Sequence, residues 1–217
     1  MTNLHSLLAG LGAMLSLVVQ SAEPITLTLD SFTDGKGGKP GAAWVTEADG
    51  SIHLNGKGGG NLISKQEFVS FEITWEWKLT EGGNNGLKYW VTEIGEKKEW
   101  LGIEYQMIDD HKNADGLRGG SHTTASIYDI KEAAADKPLK PIGEWNRSRV
   151  VIRQGVIEHW LNGKQVVTAD TNTPEWKALV AKSKFKLKRG FAPGRGRFML
   201  TDHGDPVWFR SLRVTPL

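Results

Sequence analysis

The sequence lacks cysteine entirely and carries almost no net charge. Among its 217 residues there is no Cys, and 27 Lys and Arg stand against 25 Asp and Glu. Without Cys the folded domain can contain no disulfide, whatever the redox state of its compartment. A charge balance this close to zero supplies no strong field for polyanions or lipid headgroups. We therefore expect neither nucleic acid nor a membrane surface among the partners of the folded domain.

Long apolar runs are also scarce, and the longest one, residues 7–19, is too short to span a bilayer. Small residues follow it at Ser21 and Ala22, which is typical of a secretory signal peptide. No Lys or Arg precedes the run, so an uncleaved anchor is the alternative. We expect a signal peptide over residues 1–22, and a periplasmic or secreted mature chain over residues 23–217.

What the sequence has in quantity is tryptophan, with nine residues, and short segments of alternating polarity. Residues 71–79 alternate five apolar side chains with Glu, Thr, Glu and Lys, which predicts a strand with one buried face. Glycine-containing dipeptides separate other segments of this kind. Hairpin turns are predicted at Asp49-Gly50, Gln154-Gly155 and Asn162-Gly163.

Only one helix is predicted, near residues 174–184, because Thr173 suits the N-cap and Pro174 the first turn. The seven basic residues between 182 and 197 alternate in part with Phe185 and Leu187. This pattern favours a solvated strand and loop over a nucleic-acid surface. About a dozen short strands without βαβ alternation predict an all-β protein, specifically a jelly-roll β-sandwich in one domain.

Two predicted strands, residues 87–92 and 101–107, place polar groups on a common face. Their apolar positions share one parity, so the intervening side chains point the other way if the strands pair. The side chains on this shared face are Lys88, Trp90, Glu104 and Gln106. A solvated Lys–Glu pair worth about 0.2–1 kcal/mol would explain the pattern, and a sugar-binding groove is the alternative.

Several segments also resemble a bacterial family in their sequence and order. They are "GGNNGLKYWV", "GIEYQMIDD", "PIGEWNRSRVVI", "VIEHWLNGKQV", "KSKFK" and "LTDHGDPVWFRSLRV". Together they make residues 25–217 similar to the 3-keto-disaccharide hydrolase domain family. The resemblance implies a concanavalin A-like jelly roll, a secreted or periplasmic location and action on 3-keto-glycosides. Thr201 departs from an expected Gln, and Ala125 stands where Gly commonly precedes the "IYD" segment.

With this resemblance, the shared strand face becomes a candidate active site. A ketone at C3 acidifies the hydrogen on C2, so the bond at C1 can break by elimination. Glu104 is the predicted general base, Lys88 would stabilise the enolate, and His203 would protonate the leaving oxygen. Gln106 and Trp90 are expected to hold the sugar ring. Further substrate-binding residues are predicted at strand ends and loops, namely Asn85, Tyr128, Asp109 and Asp202.

Other functions remain open at this stage. Glu104, Gln106 and Asp109 have the spacing of the Glu-x-Asp-x-x-Glu strand of jelly-roll glucanases, but the altered acids disfavour an ordinary endo-glucanase. A divalent cation is a possible cofactor, with Asp109, Asp110, His111 and Asp115 as its ligands. No nucleotide is expected, since no helix is predicted after the Gly-rich loop 56–61. A non-catalytic carbohydrate-binding module and a structural cell-surface sandwich are the competing functions.

Overall fold

The computed structural model describes residues 22–217, which form two antiparallel sheets and one α-helix. The strands are β1 (Ile25–Thr26), β2 (Phe32–Thr33), β3 (Trp44–Thr46), β4 (Ile52–Leu54), β5 (Leu62–Ser64), β6 (Phe71–Leu79), β7 (Asn84–Ile94), β8 (Glu99–Ile108), β9 (Asn146–Arg153), β10 (Val156–Leu161), β11 (Lys164–Asp170), β12 (Arg197–Leu200) and β13 (Val207–Pro216). The helix is α1 (Pro174–Lys182), and short 3₁₀ turns cover Leu29–Ser31, Gly116–Arg118 and Gly120–His122. The predicted signal peptide, apart from its last residue, lies outside the described part of the chain.

The eight-stranded sheet, here the large sheet, has the order β11-β10-β9-β6-β13-β4-β3, and β1 also pairs with β13. The small sheet has five strands in the order β2-β5-β12-β7-β8. Consecutive strands β12 and β13 belong to different sheets, so the chain crosses the sandwich between them. The predicted jelly-roll β-sandwich with a single short helix is confirmed. Within residues 22–217, no helix is both long and apolar enough to cross a membrane.

The core lies between the two sheets and is rich in aromatic side chains. All five apolar side chains of β6 are buried, as the alternation predicts. Across the core, the Trp75 ring meets the Tyr105 ring of β8 edge to face, with centroids 4.9 Å apart. Each large side chain buried in this way contributes about 1.5–3 kcal/mol. This packing fixes the inner faces of β6 and β8, and therefore also which side chains point outward.

A buried histidine connects the two sheets through polar contacts. His159 of β10 lies 2.8 Å from the Tyr89 hydroxyl of β7 through Nε2, and 2.8 Å from the Ala125 carbonyl through Nδ1. Burial lowers the pKa of His159 from 6.5 to about 4, and the bond to Ala125 opposes this lowering only in part. The imidazole is therefore neutral near pH 7, with Nδ1–H donating to Ala125 and Nε2 accepting from Tyr89.

The local turn and cap signals of the sequence are confirmed. Gln154 and Asn162, each followed by Gly, take left-handed φ values of 50° and 46° in the two turns of the β9-β10-β11 meander. The hairpin of β3 and β4 turns at Asp49-Gly50. Thr173 caps α1, because its hydroxyl accepts the backbone N–H of Trp176 at 3.2 Å.

Two segments whose alternating polarity predicts a strand, residues 26–32 and 184–188, do not form a continuous strand. Residues 26–32 are interrupted by a 3₁₀ turn, in which the Ser31 hydroxyl accepts the Thr28 N–H at 3.0 Å. Residues 184–187 form turns after α1, where the Ser183 hydroxyl accepts the Phe185 N–H at 3.1 Å. In both places a serine hydroxyl binds a nearby amide and so competes with strand pairing.

Candidate functional site

The two strands with the shared polar face are neighbours in the small sheet. β7 and β8 pair antiparallel, with Lys88 directly opposite Glu104 and Leu87 opposite Tyr105. Tyr89 and Tyr105 both lie in the core. The predicted pairing and the placement of these four charged and aromatic side chains are therefore confirmed.

The Lys–Glu pair is not a solvated surface pair. The Glu104 side chain is 4 % exposed and the Lys88 side chain 14 %, and Lys88 Nζ lies 3.5 Å from Glu104 Oε2. Removing both charges from water carries a desolvation cost that solvated cross-strand pairs avoid. Charged groups that bear such a desolvation cost are concentrated at functional sites.

A glycine makes room for the Glu104 carboxylate. Gly86 lies on β7 opposite Gln106, and a Cβ placed on it would come within 2.1 Å of Glu104 Oε1. No side chain fits at this distance, so the carboxylate occupies the space that any other residue at position 86 would fill.

His203 reaches Glu104 from the connection between β12 and β13. Its Nε2 lies 3.8 Å from Glu104 Oε1, and its side chain is 41 % exposed. Asp202 stabilises this connection, because its carboxylate accepts the N–H groups of Gly60 at 2.7 Å and Gly204 at 2.8 Å. The structure therefore places Asp202 as a support for the His203 loop.

Tyr128 comes to the site on an irregular segment that pairs with β8. The Ala125 N–H donates to the Gln106 carbonyl at 2.8 Å, and the Tyr128 N–H donates to the Glu104 carbonyl at 3.0 Å. The Tyr128 hydroxyl donates to Asp115 Oδ2 at 2.7 Å. Burial and, to a smaller extent, the contact with Asp115 raise the pKa of Tyr128. The side chain therefore remains a neutral phenol near pH 7.

Lys184 is a member of the site that the sequence analysis missed. It follows α1, and its Nζ lies 4.1 Å from the centroid of the Tyr128 ring, a cation–π contact. Its backbone N–H donates to Asp129 Oδ2 at 2.6 Å. The one signal for it was the "KSKFK" segment, in which the alternation suggested a strand. We call Lys88, Glu104, Tyr128, Lys184 and His203 the Glu104 cluster.

The charges of the cluster act on one another. Burial raises the pKa of Glu104. The positive charge of Lys88, followed by the contacts with His203 and Lys184, lowers it by more, so the pKa lies below its usual range. Burial lowers the pKa of Lys184, and the nearby Glu104 carboxylate opposes this lowering. Glu104 is therefore a carboxylate near neutral pH, held among cationic groups.

A second layer of polar contacts holds the Tyr128 segment. His122 lies between two carboxylates at ion-pair distance, with Nδ1 3.2 Å from Asp115 Oδ1 and Nε2 3.3 Å from Asp129 Oδ1, and its Nδ1 makes no hydrogen bond within residues 22–217. These are the carboxylates that bind the Tyr128 hydroxyl and the Lys184 backbone. His122 thus couples the positions of two members of the Glu104 cluster.

The structure corrects the placement of Trp90. The pairing of β7 with β8 shifts between Tyr89 and Thr92, and Trp90 takes a left-handed φ of 50°. This bulge turns the indole into the core, where Nε1 donates to the Val69 carbonyl at 2.9 Å. The expectation that Trp90 shares the outer face of the Lys–Glu pair is wrong, because strict alternation fails across a bulge.

Asp109 and Asn85, both predicted to bind substrate, are buried and engaged within the protein. The Asp109 carboxylate accepts three backbone N–H groups, from Gly82 at 2.9 Å, His111 at 3.0 Å and Lys112 at 3.1 Å. The Asn85 side chain donates to the carbonyl of residue 201 at 2.7 Å. Both residues therefore stabilise the ends of the strands that carry the site.

The candidate cation ligands are not brought together. Asp110 pairs with Lys137 at 2.9 Å, and Asp115 binds Arg118 at 2.7 Å. In the described part of the chain, no group of three or more His, Asp or Glu side chains is positioned to hold a metal ion.

Gln106 lies beside Glu104 on the outer face of β8, as predicted. Its side chain is buried, and its Oε1 has no hydrogen-bond partner among residues 22–217. An unpaired buried acceptor costs about 1–3 kcal/mol, so such a group is retained where it serves a purpose. The cluster and Gln106 together offer a carboxylate base, an imidazole, cationic groups and one unsatisfied amide.

Comparison with known proteins gives consistent results. Residues 27–215 match the family described as a 3-keto-alpha-glucoside-1,2-lyase-like domain. A 3-keto-disaccharide hydrolase of Bacteroides thetaiotaomicron is 32% identical in an alignment 205 residues long, and the match covers 80% of this chain and 70% of that protein.

Two solved structures from Parabacteroides distasonis, each provisionally described as a glycosyl hydrolase, share the fold. One has 29% identity and a TM-score of 0.77, covering 88% of this chain and 90% of that chain. The other has 27% identity and a TM-score of 0.62, covering 81% and 90%.

Proposed function

Because this chain belongs to the 3-keto-alpha-glucoside-1,2-lyase-like domain family, we propose that it is a carbohydrate-active hydrolase that cleaves the glycosidic bond of 3-keto-glycosides. The observation that carries the proposal is the buried Glu104 carboxylate, with Lys88, Lys184 and His203 around it. A single carboxylate among cationic groups suits proton abstraction next to a ketone. The paired carboxylates of ordinary glycosidases stand about 5–9.5 Å apart and act by displacement.

The proposed reaction begins at C2 of the sugar. Glu104 takes the C2 proton, and the electron pair moves to the C3 carbonyl oxygen, which becomes an enolate. The C3 carbonyl then re-forms as the bond from C1 to the leaving oxygen breaks, and His203 gives that oxygen a proton. The immediate product is a 3-keto sugar with a C1–C2 double bond, and addition of water to it completes hydrolysis.

The lowered pKa of Glu104 makes it a weak base, so the barrier must be reduced elsewhere. Lys88 and Lys184 supply positive charge next to the carboxylate, where the enolate would develop. Preformed charge of this kind stabilises a transition state strongly when water is excluded. In this proposal Lys184 joins Lys88 in stabilising the enolate, and Gln106 Oε1 accepts a sugar hydroxyl.

Replacing Glu104 with Gln tests the role of the base. The amide keeps the shape of the side chain but cannot take a proton, so turnover of a 3-keto-α-glucoside, followed by NMR, should fall by about 10²–10⁴. Glu93→Gln, on an exposed part of β7, is the matched control and should leave turnover unchanged. Near-native turnover by the Glu104 variant would remove Glu104 from the mechanism. Sugar binding without product by the wild-type protein would instead favour a carbohydrate-binding module.

The proposed site of action is the periplasm or the exterior of the cell. The support is the apolar run at residues 7–19 and the small residues Ser21 and Ala22 that follow it.

A further inference from the structure

The outer face of the large sheet carries a set of arginines that the proposed reaction does not use. Strand β6 runs between β9 and β13 in this sheet. In the strand register, Glu76 of β6 lies opposite Arg147 of β9 on one side and Arg210 of β13 on the other. Thr74 lies in the same way between Arg149 and Arg213. We call these four arginines the arginine surface. It lies on the sheet opposite the one that holds Glu104.

A strained bulge brings two of the arginines to the same face. Arg210 and Arg213 are three residues apart, so strict alternation along β13 would point them to opposite sides. The register shifts between them, and Ser211 takes a left-handed φ of 53°. Bulges re-aim side chains, and strained non-glycine residues concentrate at functional positions. The bulge at Ser211 therefore places Arg213 on the same face of the sheet as Arg210.

The arginine surface contains two adjoining depressions. One of about 550 Å³ is lined by Lys140, Arg147, Arg149, Trp160 and Asn162, together with Glu76. The other, of about 250 Å³, shares Glu76 and Arg147 with the first and extends to Ser211 and Arg213. Arg147 therefore stands at the boundary of the two, and a ligand lying across both would meet Arg147 and Arg213.

These two arginines have guanidinium groups left for a ligand. Arg149 pairs with Glu72 at 3.5 Å, and Arg210 pairs with Glu76 at 2.7 Å. In contrast, no carboxylate within residues 22–217 lies at ion-pair distance from Arg147 or Arg213. The whole chain has a formal charge of only +2, so this concentration of cations is local.

We propose that the arginine surface binds an acidic carbohydrate, an oligosaccharide with uronate carboxylates, separately from the Glu104 cluster. A guanidinium binds a carboxylate through two parallel hydrogen bonds, which a lysine cannot match. The exposed Ser211 hydroxyl adds a group suited to a sugar hydroxyl. Single-stranded nucleic acid would need open aromatic faces for its bases, but Arg149 lies over the Trp160 ring at 4.0 Å.

Titration calorimetry with tetragalacturonate tests this inference on the full folded protein. Wild type should bind it, and Arg147→Gln/Arg213→Gln should bind at least tenfold more weakly. Arg189→Gln/Arg195→Gln removes two exposed guanidinium groups elsewhere and should bind as wild type does. Glu104→Gln should also bind normally, which separates this site from the proposed active site. Unchanged thermal unfolding of each variant shows that folding is intact.

Five results would overturn the inference. They are absence of binding by wild type, undiminished binding by Arg147→Gln/Arg213→Gln, an equal loss in the Arg189/Arg195 control, loss of binding in Glu104→Gln, and equally tight binding of oligo-deoxythymidine. The last result would show a general polyanion surface. A neutral galacto-oligosaccharide of the same length should not compete, since it has no carboxylates for the two guanidinium groups.

Discussion

At the scale of the single residue, the charge of Glu104 is set by its neighbours more than by its burial. Burial alone would raise its pKa and so favour the neutral acid, which cannot take a proton. Lys88, His203 and Lys184 reverse this and keep the group ionised near neutral pH. The same cationic groups then stand where negative charge would develop on the substrate. In the proposed mechanism, one arrangement of charges therefore sets both the protonation state of the base and the stability of the enolate.

The space for this carboxylate depends on Gly86, which gives a prediction about stability as well as activity. In Gly86→Ala the new methyl group would meet Glu104 Oε1 at 2.1 Å unless something moves. We expect a loss of about 1–3 kcal/mol in the free energy of unfolding, measured by urea denaturation. Turnover should fall as well, because small displacements of a catalytic group reduce rates strongly.

A double variant distinguishes this contact from a general effect on β7. Glu104→Ala removes the atoms that the new methyl group at position 86 would meet. Gly86→Ala should therefore cost less stability in the Glu104→Ala background than in the wild-type background. Additive losses in this double-mutant cycle would show that the two residues do not interact.

At the scale of the element, His159 links β10 to the segment that carries Tyr128. Its folded pKa of about 4 lies below the ordinary value of 6.5, so the unfolded chain takes up a proton first as pH falls. The stability contributed by the neutral ring is complete above about pH 6.5 and is lost progressively toward pH 4. The loss should approach about 3 kcal/mol, because each tenfold difference in proton affinity between the folded and unfolded chain corresponds to about 1.4 kcal/mol.

Urea denaturation at several pH values measures this effect. His159→Gln can still bind Ala125 and Tyr89 but cannot titrate, so its stability should depend less on pH between 6.5 and 4. If the His159 variant has the same pH dependence as wild type, the buried imidazole is not the cause.

The strands show what a sequence can and cannot predict. Alternation correctly placed Lys88 opposite the core tyrosines and next to Glu104, because burial of one face fixes register. It failed at Trp90, since a bulge depends on a single left-handed residue that leaves no trace in the polarity pattern. Lys184 was missed for another reason: it lies 56 positions from Tyr128 in the sequence, and it belongs to a turn whose polarity pattern resembles a strand.

The backbone at Ala125 accounts for the glycine that the sequence resemblance implies there. Ala125 takes a left-handed φ of 67°. Glycine adopts this conformation without steric cost, whereas an L-residue pays about 1–2 kcal/mol. The Ala125 methyl group is fully buried, and burial of that group offsets part of the cost.

At the scale of the whole molecule, we expect the exported protein to begin near residue 23. Cleavage there leaves β1 intact, where Ile25 pairs with Val214 and anchors the start of the chain to the large sheet. Mass spectrometry of protein purified from a native-like host should show a chain that lacks residues 1–22. Recovery of an intact Met1 on protein from the cytoplasm would contradict export.

Because the chain crosses from one sheet to the other between β12 and β13, relative motion of the two sheets changes the distance between His203 and Glu104. Glu104 belongs wholly to the small sheet, but His203 is attached to both sheets, since its connection leaves one and enters the other. Their separation of 3.8 Å therefore reports how the sheets are aligned. A slide of one sheet over the other by about one residue, roughly 3.3 Å, would pull the pair apart. On heating, catalytic competence should therefore disappear as soon as the layers loosen, before the strands themselves separate.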